Sequence, residues 1–111
     1  MKHTSIDRLP AETVSHNAKI KKRVMLRTGE VPHLTNFSQA VFPPGEVATA
    51  HTHNDMHEVF YVQSGHGTMT VNGAGFPIRS GDCIQVSPGD SHEIANTGDE
   101  ELVLCYFGVS L

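Results

Sequence analysis

His51-Thr52-His53 places two imidazoles one residue apart, and Glu58 follows within the same stretch, Gly45 to Gly65. On an extended strand alternate side chains share a face, so His51 and His53 point one way and Thr52 the other. That spacing suits a site built on a strand and not the i, i+4 arrangement of a helical His-Glu-x-x-His site. His57 and Glu58 are neighbours, so only one of them can face the same interior. Glu58 is in phase with Phe60 and Val62, and His57 with Val59, Tyr61 and Gln63. The more apolar partners select Glu58, with His57 as the alternative. His92 opens a later strand, in phase with Ile94 and Asn96. Imidazoles with a carboxylate and no thiolate suit a divalent transition metal (Mn, Fe, Ni, Cu or Zn) in place of a cysteine-based structural zinc site.

The elements that must carry these groups are strands. Past residue 20 the chain alternates short apolar runs with Gly, Pro and Asn punctuation, as at Pro43-Pro44-Gly45, Asn72-Gly73 and Pro88-Gly89. The runs lie at 23–28, 36–42, 46–53, 57–63, 68–71, 76–78, 83–86, 92–96 and 101–109. Strands at this spacing predict an all-β sandwich or barrel. Pro10 to Thr13 is read as a short helical turn, with proline near the first helical position. Residues 1–18 form a polar segment with little to bury, read as flexible, and residues 19–111 form the barrel domain.

The chain has 111 residues, enough for a single core. Its formal net charge is -4, from 8 Lys+Arg against 12 Asp+Glu, which argues against nucleic acid or an anionic membrane as partner. Lys19, Lys21, Lys22 and Arg23 form a basic run, read as a solvated strand edge. Cys83 and Cys105 form no Cys-x-x-Cys pair and suit a reducing compartment. The first 22 residues hold no apolar run of signal-peptide length, and no window reaches a membrane span, so the expected location is cytoplasmic.

The chain resembles the small single-domain cupins. Their first motif is Gly, five residues, His-x-His, four residues, Glu, six residues, Gly, met here by Gly45, His51, His53, Glu58 and Gly65. The second is Gly, five residues, Pro-x-Gly, two residues, His, three residues, Asn, met by Gly81, Gly89, His92 and Asn96. One position departs: Ser87 stands where the pattern has proline, and Pro88 follows. The resemblance covers about residues 34 to 109. It implies a double-stranded β-helix (jelly-roll) barrel in which His51, His53, Glu58 and His92 bind one metal. It also implies a homodimer and a metal-dependent activity, dioxygenase first, with isomerase, lyase or decarboxylase next. A non-catalytic metal- or small-molecule-binding module is the alternative.

Strand phase alone nominates Phe37, Phe42, Phe60, Met69, Gln85, Ile94 and Phe107 as pocket lining, a mostly apolar set suited to a small organic molecule. No arginine is placed inside the barrel, which argues against a strongly anionic substrate such as a sugar phosphate.

Overall fold

The structure is a computed structural model and describes residues 1–111. Ten antiparallel strands follow a single 3-10 turn, Ile6–Arg8. They are β1 (Glu12–Val14), β2 (Asn17–Leu26), β3 (Phe37–Phe42), β4 (Val47–Thr52), β5 (Met56–Ser64), β6 (His66–Val71), β7 (Ala74–Arg79), β8 (Cys83–Val86), β9 (Ser91–Ala95) and β10 (Leu102–Ser110). One sheet has the order β1-β2-β3-β10-β5-β8 and the other β4-β9-β6-β7. The inward residues of both form one core, with Ile20, Phe42, Val62, Leu102 and Leu104 from the first sheet and Met69, Ile78 and Ile94 from the second. This is an all-β barrel, as the strand spacing predicted, in the jelly-roll form that the family resemblance implied. No helix is long and apolar enough to cross a membrane.

The amino-terminal reading needs correction. Glu12 and Thr13 are strand, not helix, and pair with Lys22 and Lys21 of β2. Proline fixes only its own φ, and pairing to a neighbouring strand overrides its weak helix-starting preference. Strand β2 also begins at Asn17, ahead of the expected domain boundary, and its side chain ties the hairpin to the second sheet. Asn17 Nδ2 donates to Val47 O at 3.0 Å and to Glu46 Oε1 at 3.2 Å.

Two details of the ladder position the site. Along β4 and β9, Ala48 faces Ile94 and His51 faces His92, so β4 spends three residues where β9 spends two. This bulge resets the strand's phase and turns His51 toward the interior beside His92. Gly89, at φ 89°, sits in the turn before β9 and donates its N–H to His53 O at 2.8 Å. A non-glycine residue is disfavoured in that left-handed conformation. The bond holds the end of the His51–His53 segment against the turn that delivers His92.

Candidate functional site

His51, His53, Glu58 and His92 converge at one end of the barrel. One ligand-type atom from each lies within 4.8 Å of all the others. Strand phase put His51 and His53 on one face, and their ring centroids are 4.9 Å apart. His51 and His92, from paired strands, are 4.3 Å apart. Glu58 is buried in phase with Phe60 and Val62, whereas His57 faces outward and contacts Gln85 through Nδ1 at 3.1 Å. The alternation argument therefore chose the inward residue of that pair.

The nitrogen atoms that face the centre are set by bonds on the far side of the rings. His51 Nδ1 lies 3.0 Å from Thr49 O, and His92 Nδ1 lies 3.1 Å from Asp90 O. A carbonyl only accepts, so both Nδ1 atoms carry the proton and both Nε2 atoms keep a free lone pair. Glu58 Oε1 lies 3.1 Å from His92 Nε2 and 3.2 Å from His53 Nε2. Neither buried atom, Glu58 Oε1 or His92 Nε2, has a hydrogen bond of acceptable direction. Orphaned buried polar atoms are rare in proteins, and a cation among them would satisfy both at once. The donor set fits a divalent transition metal on these grounds.

Burial pulls the His92 pKa down, but the Glu58 carboxylate and the Asp90 carbonyl pull harder the other way and leave it raised. The turn that presents His92 is held by its own side chains. Asp90 accepts from Ser87 N at 2.8 Å and from Asn72 Nδ2 at 2.9 Å, and these bonds lower its pKa. The Ser87 bond explains the departure from the motif, since proline has no N–H to give. Asn96, 2 % exposed, closes the other end of β9: its Nδ2 donates to Phe42 O at 2.8 Å and Glu100 O at 2.7 Å.

Above the cluster opens a cavity of about 490 Å³. Of the residues expected to line it, Phe42, Phe60 and Ile94 do so. Met69 does not, being fully buried in the core. Gln85 does not either, because β8 turns it outward to His57 and Ser87. Phe37 and Phe107 lie on the outer face of their sheet and pack edge to face against each other at 5.9 Å. Strand phase was assigned for these residues without knowing which sheet face is internal, and odd positions of β3 and β10 point out.

Several contributors were not foreseen. Val14 and His16, from the amino-terminal hairpin, line the cavity, and so does Lys22. Tyr106 also lines it and stacks on Phe60 at 5.8 Å, and its burial pushes its hydroxyl pKa up to about 12. The basic run thus splits: Lys22 shares the inward face of β2 with buried Ile20 and Val24, while Lys21 and Arg23 point away. Strict alternation along residues 20 to 24 was the available signal, hidden by reading the run as a block of charge.

Comparison with known proteins agrees with this architecture. A protein from Thermotoga maritima described as oxalate-binding is 36% identical over 66 residues, which is 60% of this chain and 54% of that protein. The chain spans about half the length of the curated relatives it matches. The crystal structure of a predicted oxalate decarboxylase from Thermotoga maritima has a TM-score of 0.92 at 24% identity, covering 99% of this chain and 100% of the other. A polyketide cyclase from Streptomyces resistomycificus has a TM-score of 0.85 at 16% identity, covering 98% of this chain and 79% of the other. At such identities the likeness is one of fold. The cupin domain model matches residues 38–108, a span that begins inside β3, ends inside β10 and contains both histidine motifs, so this chain belongs to the cupin domain family.

Proposed function

We propose that His51, His53, Glu58 and His92 bind one divalent transition metal, and that the protein is a metal-dependent enzyme acting on a small organic molecule held in the cavity above. The observation that carries this reading is the pair of buried, unsatisfied atoms, Glu58 Oε1 and His92 Nε2, facing one centre. A metal held there supplies Lewis-acid polarisation of a bound oxygen or, for a redox metal, activation of O₂. The chain's own residues do the rest. Thr49 O and Asp90 O hold the imidazole tautomers that leave Nε2 free to coordinate. Phe42, Phe60 and Ile94 exclude water, and neutral Tyr106 offers a hydroxyl proton as a hydrogen-bond donor.

A non-catalytic binding module is the second reading, supported by the relative described as oxalate-binding. One experiment separates the two. Metal-free protein is reloaded with Fe(II), Mn(II), Ni(II) or Zn(II), and O₂ uptake and product formation are followed with catechols, flavonols, diketones, thiols and oxalate. Uptake with Fe or Mn supports dioxygenase chemistry, and O₂-independent turnover supports a lyase, isomerase or decarboxylase. Binding of one metal per chain with no turnover of any compound supports the module. We also infer that the protein pairs as a homodimer, a reading supported by the apolar outer strip that includes Phe37, Phe107, Tyr61 and Val109.

A further inference from the structure

We propose that Lys22 is the anion-binding residue of the cavity and selects small carboxylates as its ligands. This rests on the metal-site reading above, because it places one end of the ligand at the four-residue cluster and a carboxylate at the Lys22 ammonium.

Lysine on an inward strand face is costly unless something compensates the charge. Lys22 stands between Ile20, 0 % exposed, and Val24, 3 % exposed, and is itself half-buried. It has no hydrogen bond and no salt bridge, unlike Lys2, Lys19 and Arg27. It is the sole lysine or arginine lining the main cavity. It also lines a smaller neighbouring cavity, and the residues common to both are Lys22, His53, Glu58 and Tyr106. The ammonium therefore shares a wall with two side chains of the cluster, yet lies beyond 4 Å of the Glu58 carboxylate, whose neighbours are His53 and His92.

Charge accounting points the same way. Three neutral imidazoles and one carboxylate around a divalent cation sum to a net positive centre, and Lys22 adds a second positive charge to an apolar cavity. A chain of net charge -4 thus has a cationic interior at this one place. Small carboxylates are complementary to it: one oxygen reaches the cluster, a second accepts from Lys22 Nζ, and Tyr106 donates from the same wall. Lys22 lies outside residues 38–108, on the amino-terminal hairpin formed by β1 and β2.

The test uses malonate and its neutral diamide, malonamide, titrated calorimetrically at pH 8 into Mn(II)-loaded and metal-free protein. Wild type is expected to prefer malonate. Lys22→Met is expected to lose about tenfold to a hundredfold in malonate affinity, the worth of one charged hydrogen bond, with malonamide unchanged and Lys22→Arg close to wild type. Equal malonate affinity in wild type and folded Lys22→Met overturns the proposal. So does a wild type that binds malonate no better than malonamide, a comparison that stands even if Lys22→Met fails to fold. Elemental analysis of the same samples reads the metal site separately. Wild type that takes up no metal ends the metal-site reading, and the metal-free titrations then decide the role of Lys22.

Discussion

Each imidazole of the cluster has two possible uses, as a proton carrier or as a ligand, and pH chooses between them. In the metal-free protein the raised pKa of His92 means that its contact with Glu58 favours the charged ring. That contribution to stability is fully present below the ordinary value of 6.5 and is lost as pH rises through the raised value. Metal binding has the opposite sign, because coordination needs the neutral ring. The melting-temperature gain of Zn(II)-loaded over chelated protein is therefore expected to widen from pH 6 to pH 8 and to vanish by pH 4. His53→Ala is expected to abolish stoichiometric metal. A gain independent of pH, or metal retained by His53→Ala, would sink the three-imidazole shell. At this scale much was legible. Adjacent-residue phase separated Glu58 from His57, and it placed His51 with His53. Phase has no power over residues on different strands, and His92 joined the set only through the family's spacing. Lys22 was readable by the same phase argument, since Ile20 and Val24 flank it two residues away on each side.

Among the elements, turns and bulges do the positioning, and these were the least legible. The break at Asn72-Gly73 was foreseen from its dipeptide, and β6 and β7 pair as a hairpin on either side of it. The β4 bulge was not foreseen, because the extra residue leaves no mark in Thr49-Ala50 that differs from an ordinary strand. The β1 strand was missed because three residues are too short for a periodicity to register. Gly65 shows what a turn can demand. Its φ is 82°, and a β-carbon there would strike the Glu101 carbonyl oxygen at the mouth of β10. The left-handed conformation alone costs a non-glycine residue about 1–2 kcal/mol, and the backbone clash adds to it. Gly65→Ala is expected to lower stability in urea unfolding by more than about 2 kcal/mol, whereas Gly73→Ala, with φ 81° but open space around it, should cost less. Equal losses at the two glycines would remove the clash from the explanation.

The molecule as a whole has a mostly apolar cavity with a polar cluster at its base, and an apolar exterior strip. Tyr61 and Val109 are 47% and 40% exposed, on the outward face of β5 and β10. The pairing inferred above would cover them. An open strand edge near Arg23 to Thr28 would be a different motive for pairing. In the structure β1 covers Asn17 to Lys22 on that side, and Arg23 to Leu26 pair on the β3 side only. Sedimentation equilibrium is expected to give a dimer, and Tyr61→Glu together with Val109→Glu should shift it to monomer. A wild-type monomer at tens of micromolar would refute the pairing.

Strand β9 lies between β4 and β6, although β4 and β6 are both made earlier in the chain. His92 can meet His51 only after this late segment has slotted between two older ones. Capture of an ion would thus be a late event of folding: the four residues make no complete nest until β9 has joined β4.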